Sequence, residues 1–232
     1  MRIGILQTGY VPEEMAGDHG QYGDIFQRFL AGHGFGFRVY DVVAMEIPGS
    51  PTECDGWLIT GSKFGAYEDH PWIAPLEAHI RAAHEAKVPM VGVCFGHQVI
   101  AQALGGRVAK FDGGWSIGRV EYAFSDGRSL PLFAYHQDQV VELPPEATTI
   151  ASTDFCKHAA FTVGDHITTI QPHPEFTPEY LLGLAEHRAP GIVPEDQREH
   201  AIATVHEPVA GDDVAASFAA FFKSHAPVKH AV

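Results

Sequence analysis

The sequence predicts an α/β fold: an open, mostly parallel sheet flanked by helices and continued by an antiparallel extension. Three observations carry this expectation. Short apolar runs alternate with helix-period segments between Arg2 and Gly106. Each apolar run stops at glycine or a polar turn, as buried strands do. Beyond Gly106 the helix-period segments give way to a succession of short strands. Alternating strands and helices imply right-handed βαβ units, and therefore parallel strands.

Residues 2–7 form the first apolar run, ended by Gly9. Asp24 is placed to cap a helix, with Gln27 as its capping-box partner. Ile25, Phe26, Phe29 and Leu30 give that helix one apolar face, and Gly32 and Gly34 stop it. Residues 37–41 and 56–60 read as the next two strands, the latter ending at Gly61-Ser62. Residues 72–87 carry Ile73, Leu76 and Ile80 at helical spacing, closed by Pro89. Residues 90–93 are a fourth strand, and residues 96–104 a helix stopped by Gly105-Gly106. Strands are then expected at 115–123, 130–136, 139–143, 149–151, 156–162 and 167–171. Thr177 caps a further helix with Pro178 at its first position. Val214, Phe218, Phe221 and Phe222 form the core face of the last helix. The architecture expected is flavodoxin-like. With no linker or repeat, residues 1–225 are expected to form one domain, and residues 226–232 a frayed tail.

Composition bounds the function. Fifteen Lys and Arg against 29 Asp and Glu give the 232-residue chain a net charge of −14. Such a field repels a phosphate backbone and an anionic bilayer, so neither nucleic acid nor membrane is an expected partner. Cys54, Cys94 and Cys156 are odd in number and widely spaced, which argues against a disulfide framework and for a reducing, cytoplasmic setting. The N-terminal segment is too short and polar for a signal peptide. Residues 88–106 lack Asp, Glu, Lys and Arg but hold Pro89, Gly92, Gly96, Gln98 and Gln102, so they read as strand, turn and buried helix. The 15 histidines are expected to lower the net charge near pH 6, and solubility with it. No His-Glu-x-x-His or Cys-x-x-Cys pattern occurs, and His79 and His84 are badly spaced for one helix face, so no metal or other cofactor is expected.

Gly92-Val93-Cys94-Phe95-Gly96 lies where an apolar strand meets a helix, the setting of a nucleophile elbow. The tight turn excludes side chains on its flanks, and the helix N-terminus favours thiolate over thiol. The amide of Phe95 is placed to meet an oxyanion. A thiolate needs a base, and His173-Pro174-Glu175 follows another apolar run, at a strand's carboxyl end where such sites form. Glu175 is suited to orient the imidazole, and the order Cys…His…Glu is that of an elbow-type hydrolase.

Gly92-Val93-Cys94-Phe95-Gly96-His97-Gln98 together with His173-Pro174-Glu175 resembles the class I (triad) glutamine amidotransferases. Ile59-Thr60-Gly61-Ser62 resembles their oxyanion loop, Ala103-Leu104-Gly105-Gly106 the helix end after the elbow, and Tyr135-His136-Gln137-Asp138-Gln139-Val140 the segment closing over the glutamyl group. The resemblance implies that Cys94 attacks a glutamyl γ-carbonyl to form a γ-glutamyl thioester. It implies that His173 relays the proton, Glu175 orients it, and the amides of Phe95 and of Gly61 or Ser62 hold the oxyanion. Gln98, His136, Gln137 and Asp138 are implied in substrate binding. Structural alternatives remain for His97, a core or capping residue, and for His136 and Asp138, a turn. Lys63 reads as solvent-facing.

In detail the chain resembles stand-alone GMP-synthase-like amidotransferases and plant relatives that cleave γ-glutamyl peptides. Residues 59–72, 113–118 and 173–180 carry that likeness. Pro172 departs from the aromatic more common in ammonia-channelling members. No phosphate-binding loop is present. Three functions are weighed: a free-standing hydrolase of glutamine or a γ-glutamyl compound, a glutaminase subunit supplying ammonia to a separate synthetase, and a non-catalytic binding or redox-sensing protein.

Overall fold

The computed structural model describes residues 1–225, so the terminal segment 226–232 lies outside the described residues. The chain runs β1 (Arg2–Gln7), α1 (Glu13–His19), α2 (Tyr22–Phe29), β2 (Gly36–Asp41), β3 (Gly56–Ile59), α3 (Ile73–Glu85), β4 (Met90–Val93), α4 (Phe95–Ala103) and β5 (Arg107–Lys110). It continues through β6 (Ser116–Phe124), β7 (Ser129–His136), β8 (Asp138–Glu142), β9 (Ala147–Ser152), β10 (Ala160–Val163) and β11 (Ile167–Ile170). Helices α5 (Pro178–His187), α6 (Glu195–Thr204) and α7 (Gly211–Ser224) follow.

A nine-stranded sheet has the order β2-β1-β3-β4-β11-β10-β9-β6-β7. Its first five strands are parallel neighbours, and the rest pair antiparallel. Strands β3 and β4 are buried throughout, as strands covered on both faces must be. Their side chains alternate between two cores. Trp57, Ile59 and Met90 meet Leu76 and Ile80 of α3 and Val99 and Ile100 of α4. Leu58, Val91 and Val93 meet Phe26 and Leu30 from the α2 segment and Val214, Phe218 and Phe222 of α7. Helices therefore cover both faces, and the parallel strands end together at one edge: Thr8, Thr60, Cys94 and Gln171 each follow a strand there.

The structure corrects the sequence reading in several places. Gln21, not Asp24, caps α2, and the Asp24 carboxylate accepts from the Gln21 amide at 2.9 Å. Gln27 instead donates to the Gly23 carbonyl inside the helix. Helix α1 was not expected, because Met15 is its single buried residue and leaves no apolar period to read. Helix α6 was missed for the same reason, with only Ala201 buried. The strand expected at 156–162 begins only at Ala160; Thr153 and Cys156 exchange two hydrogen bonds in a turn before it. Strand β8 leaves the main sheet and pairs with the unexpected β5. Among the described residues, no helix is long and apolar enough to cross a membrane.

Candidate active site

Cys94 stands between β4 and α4 with φ 53° and ψ −103°. An L-residue in that region stores about 1–3 kcal/mol of strain, so the surroundings must hold it there. They do so through the backbone. The Cys94 amide donates to Ile170 of β11, the Gly96 amide to Thr60, and the Gln98 amide to Cys94. Both flanking glycines are required by contact. A Cβ at Gly92 would stand 2.6 Å from the Gly96 carbonyl oxygen, and one at Gly96 would stand 2.3 Å from that of Ile59.

His173 follows β11 and is tied to β7 through its amide, which donates to the Phe133 carbonyl at 2.8 Å. Its Nδ1 lies 2.8 Å from Glu175 Oε1. Its ring stacks on Phe176 with centroids 3.9 Å apart. Burial opposes charge on this imidazole, but the Cys94 sulfur and the Glu175 carboxylate outweigh it and raise the pKa to about 10. With Nδ1–H directed at Glu175, Nε2 is the nitrogen left to exchange a proton. Glu175 is itself buried, and its Oε2 has no partner among the described residues.

The loop after β3 closes on this pair. A Cβ at Gly61 would lie 3.0 Å from His173 Cε1 and 3.7 Å from Cys94 Cβ. The Ser62 hydroxyl donates to the Thr8 carbonyl at 2.6 Å and accepts from the Phe64 amide. Thr8 also donates to the carbonyls of Thr60 and Gly61. The hydroxyls thus fix the loop. The backbone amides of Gly61, Ser62 and Phe95 have no protein acceptor among the described residues.

A cavity of about 320 Å³ opens above Cys94, lined also by Ser62, Gln98, His136, Gln137 and Asp138. Gln98 donates to the Asp138 carbonyl at 3.0 Å and to Gln171 Oε1 at 3.1 Å. Gln171 in turn donates to Cys94 Sγ at 3.6 Å. Gln171 was missed as a site residue, because only the pairing of β11 with β4 brings it beside the elbow. His136 Nδ1 lies 3.2 Å from the Asp138 carbonyl, and burial lowers its pKa to about 4. Gln137 donates to the Phe111 carbonyl, which turns its amide toward that loop. The Asp138 carboxylate accepts from Tyr67 at 3.1 Å; burial raises its pKa, while that bond and Lys110 act against the rise. His97 lies outside the cavity. It bonds Thr169 at 2.8 Å and packs on Phe161, and burial, with lesser contributions from His136 and His158, lowers its pKa to about 3. It is a core residue. Lys63 is exposed and at the same time lines the cavity wall. Among the described residues, no three His, Cys, Asp or Glu side chains are grouped to hold a metal.

The chain is similar in sequence and in fold to known proteins. Residues 38–181 match the family model described as glutamine amidotransferase class-I. Gamma-glutamyl peptidase 3 of Arabidopsis thaliana is 30% identical over 184 residues, covering 72% of this chain and 74% of that protein. A glutamine-hydrolyzing GMP synthase of Burkholderia vietnamiensis is 28% identical over 188 residues, 68% of this chain but 33% of that longer protein. In fold, the chain superposes on a glutamine amidotransferase of Thermotoga maritima with a TM-score of 0.76 at 18% identity, covering 97% of each chain. A glutamine amidotransferase of Methylobacillus flagellatus gives 0.74 at 23% identity, over 100% of this chain and 98% of that one. The chain belongs to the class I glutamine amidotransferase family.

Proposed function

We propose that the protein is a free-standing thiol hydrolase that cleaves the γ-amide bond of a γ-glutamyl compound. The observation that carries the reading is the buried His173, bonded to Glu175 at 2.8 Å and raised to about 10 beside Cys94. A histidine held protonated between a sulfur and a carboxylate is the arrangement in which thiolate and imidazolium coexist. Cys94 Sγ attacks the γ-carbonyl, and the C=O electron pair moves onto oxygen. The amides of Phe95 and of Gly61 or Ser62 receive that charge. When the pair returns, the C–N bond breaks and His173 gives its proton to the departing nitrogen. Water then attacks the γ-glutamyl thioester, His173 takes its proton, and glutamate leaves Cys94. Gln98 and the Asp138 backbone frame the glutamyl moiety, and Gln171 steadies the sulfur. The γ-glutamyl peptidases of Arabidopsis thaliana support a peptide-type substrate.

The test is glutamate release by the purified chain from L-glutamine and a set of γ-glutamyl peptides, beside Cys94→Ala. Release that vanishes in the variant establishes the hydrolase. Release that persists in it removes Cys94 from the chemistry. The likeness to one third of a GMP synthase favours a second reading, a glutaminase subunit serving a separate synthetase. That reading expects L-glutamine turnover to rise when the partner copurifies.

A further inference from the structure

The active-site cavity carries a charge pattern opposite to that of the molecule. The chain has a net charge of −14, yet Lys63, Lys110 and Arg188 all stand in the wall around Cys94. The two carboxylates of that wall are already engaged. Glu68 Oε2 lies 2.6 Å from His70 Nε2, and Asp138 Oδ1 accepts from Tyr67. None of the three cations makes an ion pair among the described residues. For the exposed lysines this means little, since water solvates them. Arg188 is different. It is half-buried at the end of α5, and its charge acts on the hydroxyls of Tyr22, Tyr135 and Tyr180. The helix C-terminus favours a cation at this position. It does not explain a guanidinium that lines the cavity without an ion-pair partner among the described residues.

Position then assigns the anion. A second, smaller cavity of about 60 Å³ adjoins the first on the side of His173 and Phe176. Lys63 and Arg188 line both cavities, whereas Gln98, His136, Gln137 and Asp138 line only the first. His173 protonates the departing nitrogen, so the leaving group lies on the His173 side. Lys110, whose charge acts on Asp138, lines only the first cavity. We propose that Arg188, assisted by Lys63, binds a carboxylate borne by the leaving group, so that the preferred substrate is a γ-glutamyl amino acid or peptide and not glutamine. A planar guanidinium matches a carboxylate in two parallel hydrogen bonds, which a neutral amide cannot reproduce. The inference rests on the hydrolase reading for the direction of departure, and its test is separable from it.

Calorimetry on the Cys94→Ala chain would compare γ-glutamylglycine with γ-glutamylglycinamide, which differ only in the leaving group's carboxylate. The dipeptide is expected to bind about tenfold tighter or more, the value of one charged hydrogen bond. Arg188→Gln is expected to erase that preference while the melting temperature holds, and Arg188→Lys to keep part of it. Equal binding of the two ligands, or binding of neither, overturns the proposal. So does an Arg188→Gln loss that falls equally on both, which would place the guanidinium on the glutamyl carboxylate. Turnover by the unsubstituted chain is read separately. Selective binding without glutamate release sinks the hydrolase and leaves the carboxylate site. Release without selectivity does the reverse.

Discussion

Gly61 carries no side chain, and this sets how closely the loop after β3 can approach His173 and Cys94. A methyl group there meets His173 Cε1 at 3.0 Å. The imidazole must then shift by a few tenths of an ångström while stacked on Phe176. Gly61→Ala is therefore expected to lower kcat/KM for glutamate release about a hundredfold, since small misplacements of reacting groups are that costly. Its urea midpoint should stay close to the parent's; unchanged kinetics would show that the ring has room to move. Glu175→Gln removes the charge that fixes the His173 tautomer and is expected to reduce kcat by about 10⁴. A loss under tenfold would deny Glu175 its orienting role. At this scale Cys94, His173 and Glu175 could be singled out in advance, because the elbow motif and His-Pro-Glu, each weak alone, seldom occur together by chance. Gln171 could not. Its contact with the sulfur depends on β11 lying beside β4, a pairing that spacing along the chain does not reveal.

Among the elements, α4 is the one on which the elbow depends. Its first turn crosses β3 so closely that the Gly96 Cα faces the Ile59 carbonyl. Gly96→Ala is expected to destabilise the fold by about 1–3 kcal/mol through overpacking, read as a fall in the urea midpoint. Gly17 in α1 is the contrasting case, since a Cβ there meets nothing within 4 Å. Gly17→Ala should stabilise by about 0.5–1 kcal/mol, the helix-propensity difference alone. A destabilised Gly17→Ala would show that α1 is held by something other than its backbone. Most of the parallel half of the sheet was legible because β1, β3 and β4 are apolar on both faces and α2 and α3 carry a stripe. Helices α1 and α6 have one buried residue each, so their hydrophobic period is silent. For β8 the strand was legible but not its partner, because β5 is short and largely exposed.

For the whole molecule, pH acts through histidines of opposite kinds. Burial holds His79, His97, His136, His158 and His166 below their ordinary value of 6.5, the first three to about 4, 3 and 4. Between pH 6.5 and about 3 the unfolded chain takes up protons at these sites before the folded chain does, so stability falls as pH drops through that window. His173 runs the other way. Its contribution is complete below pH 6.5 and is lost as pH rises through about 10. Urea midpoints across pH 4–10 should therefore decline at both ends, and His173→Gln should flatten only the alkaline arm. An alkaline arm that is unchanged in the variant would assign it to another group. The buried histidines also limit the charge taken up near pH 6, so the loss of solubility expected from the histidine count is smaller than the count suggests.

The two neighbouring strands that carry Cys94 and His173 are joined by a long excursion. Met90 pairs with Ile167, and between them the chain builds α4, the β5–β8 ribbon and the hairpins of β6, β7, β9 and β10. Closing so large a loop is slow compared with forming local contacts. During synthesis Cys94 therefore emerges from the ribosome well before His173 exists, and the thiol passes through that interval without its imidazolium. In the proposed hydrolase, reactivity toward amides therefore waits for β11 to slot beside β4, and for α5 and α7, which follow it in the chain, to complete the cavity wall and the core.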